Sequence, residues 1–446
     1  MWNNLYETDS DLLPNDVYYL ELIIALIIKN KIKPNSKWMQ SIIKYISLPI
    51  TYFNDNGINI CLNIIKFSDA WIETFSELPP PEFMNVLYTT EQYKLINFAR
   101  IGLKFIQKTK TRPVRNLLQV IQINLIHAGS GSGWYGLQNS SQDFVVTWIE
   151  TFSELPPDDF MNILYNHDKS VDTLSKGVII TIIGSKFITV TKTKPDDVLL
   201  SRIQNDMTKP RTSSTLFMNH FLENRLKSQT YSHEFIINWI ETFSELPPYQ
   251  LMNTFYNSKY CEYSDFPEIG TCLIRKTKTM PGAELMSQII SYLTVKHSVI
   301  FSVPDSSQDF IITWLKTFSE LPPDDFMKII YARRKYVNFA FEFVQITKTK
   351  PDSRLIMHVI SNATRNILTE FYELWIKTFS ELPPAEILYN VTRNSALETQ
   401  IISDQKLNKI GKIANRIYLN TSDDKLLDNL RADLYEIKQI LNSEHI

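Results

Sequence analysis

Histidine, cysteine and glycine are scarce in this chain: its 446 residues include seven, three and eleven of them. The cysteines, Cys61, Cys261 and Cys272, are odd in number and form no CxxC. That excludes a disulfide framework and points to a reducing compartment, read here as cytoplasmic. No histidine stands four residues from another, and His233-Glu234 opens an HExxH whose closing position holds Ile237. A metal site is therefore not expected. Few glycines, 12% aromatic and 44% apolar residues argue against disorder and supply enough surface for a continuous core.

Charge of one sign is also lacking. The formal net charge is −2, without the basic excess that tracks a phosphate backbone. The longest apolar stretch, Tyr18 to Ile28, is broken by Glu21 and closed by Lys29 and Lys31, too short to cross a bilayer. No membrane partner is expected. The first twelve residues hold Glu7, Asp9 and Asp11 but no Lys or Arg, the reverse of an export signal. Gly131 to Gly136 matches GxGxxG, but the preceding Leu117 to Ile126 has a helical pattern and no GK[ST] follows. Asp158-Asp159 and Asp324-Asp325 sit where helices begin, which the backbone dipole explains. No nucleophile, base and oxyanion set is recognisable, so no enzyme activity and no cofactor are expected.

What the chain does have is repetition. WIETFSELPP begins at Trp71, Trp148 and Trp239, WLKTFSELPP at Trp314 and WIKTFSELPP at Trp375. Between them runs a second phrase, ending KIKP at Pro34, TKTRP at Pro113, TKTKP at Pro195, KTKTMP at Pro281 and TKTKP at Pro351. Strict alternation at intervals near the length of a helix-turn-helix unit predicts stacked hairpins, because a unit that cannot bury its own apolar face must lean on its neighbours. In the second decapeptide Trp148, Phe152 and Leu155 fall at helical spacing on one face with Ile149 beside them. The prolines then stop the helix, and the next begins with Pro157 near its start and two acids in its first turn.

The predicted fold is an all-α, right-handed-type α-solenoid of about ten helical hairpins in five two-hairpin units. The array covers 1–394, with units near 18–98, 99–180, 181–262, 263–335 and 336–394. Loop insertions are expected near 129–141, which holds four of the glycines, and 205–232, where Ser213 to Lys227 is expected to add a short helix. Residues 395–446 form a helical cap, in which Leu427, Leu430, Leu434, Ile437 and Leu441 make an amphipathic stripe.

Trp71, Trp148, Trp239, Trp314 and Trp375 are expected in the core. Packing does not by itself require the identity of Ser76, Ser153, Ser244, Ser319 and Ser380, nor of Glu77, Glu154, Glu245, Glu320 and Glu381, in all five copies. They suggest a ladder that ties neighbouring corners, or, with Lys33, Lys110, Lys194, Lys278 and Lys350, two charged rows presented to a partner. The corners ITKTKPDSRLI from Ile346 and VTKTKPDDVLL from Val190 resemble the KPD junction between pentatricopeptide repeats, within the wider tetratricopeptide-like class of helical hairpins. That resemblance implies single-stranded RNA read one base per repeat. The residues themselves favour a non-enzymatic scaffold for an extended protein or peptide, with RNA binding the alternative.

Overall fold

The computed structural model describes residues 18–47, 57–89, 96–127, 137–167, 180–208, 218–258, 264–294, 306–332, 337–384 and Ile387. The predicted cap, Cys261 and the glycine-rich stretch up to residue 136 lie outside them. The described residues form nineteen α-helices: α1 Tyr18–Asn30, α2 Ser36–Ile46, α3 Gly57–Phe75, α4 Pro81–Thr89, α5 Phe98–Thr109, α6 Arg115–His127, α7 Leu137–Phe152, α8 Asp158–His167, α9 Ile180–Thr191, α10 Asp197–Thr208, α11 Met218–Phe243, α12 Tyr249–Asn257, α13 Phe266–Thr277, α14 Ala283–Thr294, α15 Ser307–Phe318, α16 Asp324–Tyr331, α17 Asn338–Thr347, α18 Ser353–Asn362 and α19 Arg365–Phe379.

The chain divides into two compact units, one of residues 1–243 with 247–261 and one of residues 244–246 with 262–446. In the first, each odd helix from α1 to α9 packs on the next odd one, and α2, α4, α6 and α8 form a second row. In the second, α13, α15, α17 and α19 stack in one row and α14, α16 and α18 in the other. Each unit is thus a two-layered stack of hairpins, the architecture of an all-α solenoid.

Every odd helix ends in the same way. Ten non-glycine residues have positive φ, all between 53° and 58°: Lys31, Ser76, Lys110, Ser153, Lys192, Ser244, Lys278, Ser319, Lys348 and Ser380. Each is the first residue after an odd helix, and at nine of the ten corners its backbone N–H donates to the carbonyl four residues back, as from Ser76 to Ile72 at 2.9 Å and Lys110 to Ile106 at 2.9 Å. This left-handed residue closes the helix and turns the chain. Three positions later, at all ten corners, stands a buried proline, from Pro34 to Pro383. The helices therefore end earlier than the apolar spacing predicts: α7 stops at Phe152, and Leu155 lies in the extended link that the following proline favours.

The two corner types differ in how the next helix starts. After three of the five lysine corners, the side chain of the residue following the proline caps it: Asn35 accepts from Trp38 N–H at 3.0 Å, and Asp196 and Asp352 accept from Leu199 and Leu355 N–H at 2.8 Å. After the serine corners the second proline itself holds the cap position, as at Pro248 and Pro323, with no side-chain bond. Two expectations are corrected. Residues 218–227 are not a separate short helix but the first turns of α11, a continuous helix of 26 residues. Leu137 to Ser141, assigned to a loop, open α7.

Each unit buries its core between its two rows, and the largest side chains in it come from the odd helices. Trp71, Trp148, Trp239, Trp314 and Trp375 are 1–2% exposed. Each meets the phenylalanine four residues later in a T-shaped pair, with centroids 4.9–5.0 Å apart and planes at 66–68°. A second phenylalanine four residues before the tryptophan, Phe67, Phe144, Phe235, Phe310 or Phe371, is fully buried at every copy. All five indole N–H groups are buried and, among the described residues, meet no acceptor, so shape and apolar contact hold the ring.

Candidate functional site

The corners carry the repeated polar residues. The five serines are the left-handed residues of their corners, so their shared position is one of backbone conformation. The five predicted lysines do not form one row. Lys110 and Lys278 are left-handed residues, whereas Lys33, Lys194 and Lys350 stand two places later, where the other two corners have Arg112 and Met280.

That later position meets the glutamate of the next serine corner. Lys33 pairs with Glu77 at 2.8 Å, Arg112 with Glu154 at 2.9 Å and Lys350 with Glu381 at 2.8 Å. Lys33, Arg112 and Lys194 also lie 5.6–5.8 Å from the centroids of Phe75, Phe152 and Phe243. Glu320, whose counterpart is Met280, makes no ion pair among the described residues. Each pair is half-exposed and contributes about 0.2–1 kcal/mol. Together they form a corner ladder.

A second ladder runs between odd helices. Glu73 pairs with Lys104 and, at 3.3 Å, with Lys108; Glu150 pairs with Lys186; and Lys316 faces Glu342 at 4.0 Å. The decapeptide changes from IET to LKT at the fourth copy, and the facing side chain changes from lysine to glutamate with it. Asp69, which accepts from Arg100 at 2.9 Å, is pushed above its ordinary range by burial, with the guanidinium opposing the shift.

The lysines in the left-handed position have a different environment. Lys31, Lys110, Lys192, Lys278 and Lys348 are exposed, and among the described residues none makes an ion pair. At the last four, two threonines straddle the lysine with hydroxyls 2.7–2.8 Å apart, and the first also donates to the carbonyl four residues back. The threonines fix the corner and leave the ammonium outside it. Between the Ser76 and Lys110 corners lies an open pocket of ≈480 Å³, bordered by Leu78, Phe105, Val114 and Lys108.

Sequence reasoning missed this row because K-T-K reads the same when shifted by two. Among the described residues no group of three or more His, Cys, Asp and Glu is placed to hold a metal. No described helix is long and apolar enough to cross a membrane. Cys61 and Cys272 are buried free thiols, and burial pushes Cys61 up to about 11, where it is inert at neutral pH. No family model, no curated protein and no solved structure matches the chain.

Proposed function

We propose that this chain is a non-catalytic helical-repeat scaffold whose corner edge engages an extended, acidic polypeptide. The observation that supports it is that, within each unit, the left-handed lysines of the corners are exposed and, among the described residues, make no ion pair. Three of the repeated glutamates, Glu77, Glu154 and Glu381, are taken up by the corner ladder, so these do not compete for the left-handed lysines.

Helices packed in one layer lie about 8–10 Å apart. Within the first unit, Lys31, Lys110 and Lys192 are two hairpins apart, hence about 16–20 Å. An extended peptide rises about 3.3 Å per residue, so a carboxylate every five or six residues keeps step with them. The pocket beside the Lys110 corner, where Leu78, Phe105 and Val114 meet Glu77 and Lys108, adds a notch for a side chain between two such contacts. Lysine at these places also interacts favourably with the helix C-terminal dipole, but that interaction does not require a free ammonium in every unit.

The test uses a variant the molecule itself suggests. Serine already fills the left-handed position at the other five corners, so changing all five lysines to serine keeps the fold. Full-length protein should bind a fluorescent poly-glutamate peptide with an affinity that falls with salt, and the five-serine variant should lose most of it. Equal binding by both proteins would sink the reading. Preference for poly-U with a steep salt slope would move the function to RNA.

A further inference from the structure

We propose that α1 is a self-association face, docking antiparallel on α1 of a second copy of this chain about a two-fold axis at Ala25. The starting observation is a position. Nine residues before the left-handed residue, the other nine odd helices carry Phe67, Ile101, Phe144, Ile183, Phe235, Ile269, Phe310, Phe339 and Phe371, all 0% exposed. In α1 that residue is Leu22, 44% exposed. Ile28 is 58% exposed, and Ile32, just past the end of the helix, is 48% exposed. Leu20, Ile23 and Ile27 bury the opposite side of the helix, which leaves Leu22 and Ile28 as apolar side chains without cover on this one.

The identity of the cover follows from the order of side chains along this face. At about 100° per residue, Glu21, Leu22, Ala25, Ile28 and Lys29 fall within about 60° of Ala25. Their chemistry is symmetric about that alanine in shape and antisymmetric in charge: Glu21 and Lys29 are each four residues from it, Leu22 and Ile28 each three. A second α1 running the opposite way sets Glu21 level with Lys29 of the second copy, twice, and Leu22 level with Ile28. Alanine at the centre lets the backbones approach. Glu21 and Lys29 are exposed and, among the described residues, make no ion pair. Self-complementarity of this kind is what an isologous contact requires. One helix pair is a small interface, so the dimer is weak and in micromolar exchange.

Sedimentation of the full chain between about 1 and about 100 µM reads this directly. The mass should rise toward a dimer with concentration, and Ala25→Glu should be monomeric throughout. Glu21→Lys should weaken association about tenfold, while Glu21→Lys with Lys29→Glu restores it. The substituted residues are exposed, so each variant should keep the parent's helical circular dichroism and melting curve. A monomer at every concentration would overturn the proposal by showing that the chain's own residues or another partner cover α1. So would a dimer indifferent to Ala25→Glu, or a double reversal without rescue. None of these outcomes bears on the lysine row, which lies at the corners.

Discussion

At Ser153 and at Lys192 the chain performs one operation with two sets of side chains. Both residues take φ near 56°, close an odd helix through a bond to the fourth carbonyl back, and precede a buried proline by three positions. Around that shared backbone the chemistry diverges. The Ser153 corner presents Glu154, which Arg112 neutralises, and hangs from a helix built on Phe-x-x-x-Trp-x-x-x-Phe. The lysine corner presents an unpaired ammonium and hangs from a helix with glycine or alanine at its tightest contact. Serine hairpins therefore supply packing mass and lysine hairpins supply close approach and exposed charge.

The largest effect should separate them on packing. Trp239→Ala removes a side chain 1% exposed and should cost about 3–5 kcal/mol. The same position in a lysine hairpin is Phe187, half-buried, and Phe187→Ala should cost about 1–2 kcal/mol. Denaturant midpoints measure both. Equal losses would mean that the two helix types share the core evenly.

The close approach makes a second prediction. A Cβ on Gly270 would come within 2.7 Å of Phe310 Cε2 and 2.9 Å of Ile289 Cδ1. In the next lysine hairpin the corresponding pair is Ala340 with Val359, one methyl moved from the even helix to the odd one. Gly270→Ala should therefore destabilise by about 1–2 kcal/mol despite its better helix propensity. Adding Ile289→Val should recover most of the loss. If the double variant is no better than the single, the methyl exchange is not a compensation. The first hairpin has Ile23 at this place and stands outside the pattern.

These contrasts mark how far the sequence alone carries. Helical periodicity and paired prolines make the hairpins and corners legible, because both act within a few residues. The left-handed residue is not legible, since Ser and Lys are poor local signals for that conformation and Gly or Asn would be the expected choice. The buried phenylalanine before each tryptophan is hidden by a variable spacer, FSDAW against FVVTW and FYELW. The glycine-isoleucine and alanine-valine exchange spans two helices and appears only when they meet. The exposed side of α1 needs nine buried counterparts before its exposure means anything.

Lysine hairpins also differ among themselves in one buried group. His358 on α18 is 3% exposed, donates from Nδ1 to the Tyr331 carbonyl at 3.2 Å, and has Val120, Arg202 and Gln288 as counterparts seven residues after the corner proline. Burial lowers its pKa, against the carbonyl bond that raises it. The neutral ring is thus favoured in the folded state. Above about pH 6.5 both states are neutral and nothing is lost; as pH falls through that value the unfolded chain takes up a proton first, and stability drops until the folded value is passed. Denaturant midpoints should decline over this window, and His358→Gln should flatten the decline. An unchanged slope would place the titrating group elsewhere.

The smallest effect bears most directly on the two corners. A non-glycine residue in the left-handed region is strained by about 1–2 kcal/mol, and glycine relieves this while losing more chain entropy on folding. Ser153→Gly and Lys192→Gly should each stabilise by about 0.5–1 kcal/mol, because the backbone at both is the same. Binding should tell them apart. Ser153→Gly should leave poly-glutamate affinity unchanged, whereas Lys192→Gly removes one of the free ammonium groups and should weaken it about two- to fivefold. A serine-to-glycine change that weakens binding equally would mean that corner rigidity, and not the lysine charge, is what the partner reads.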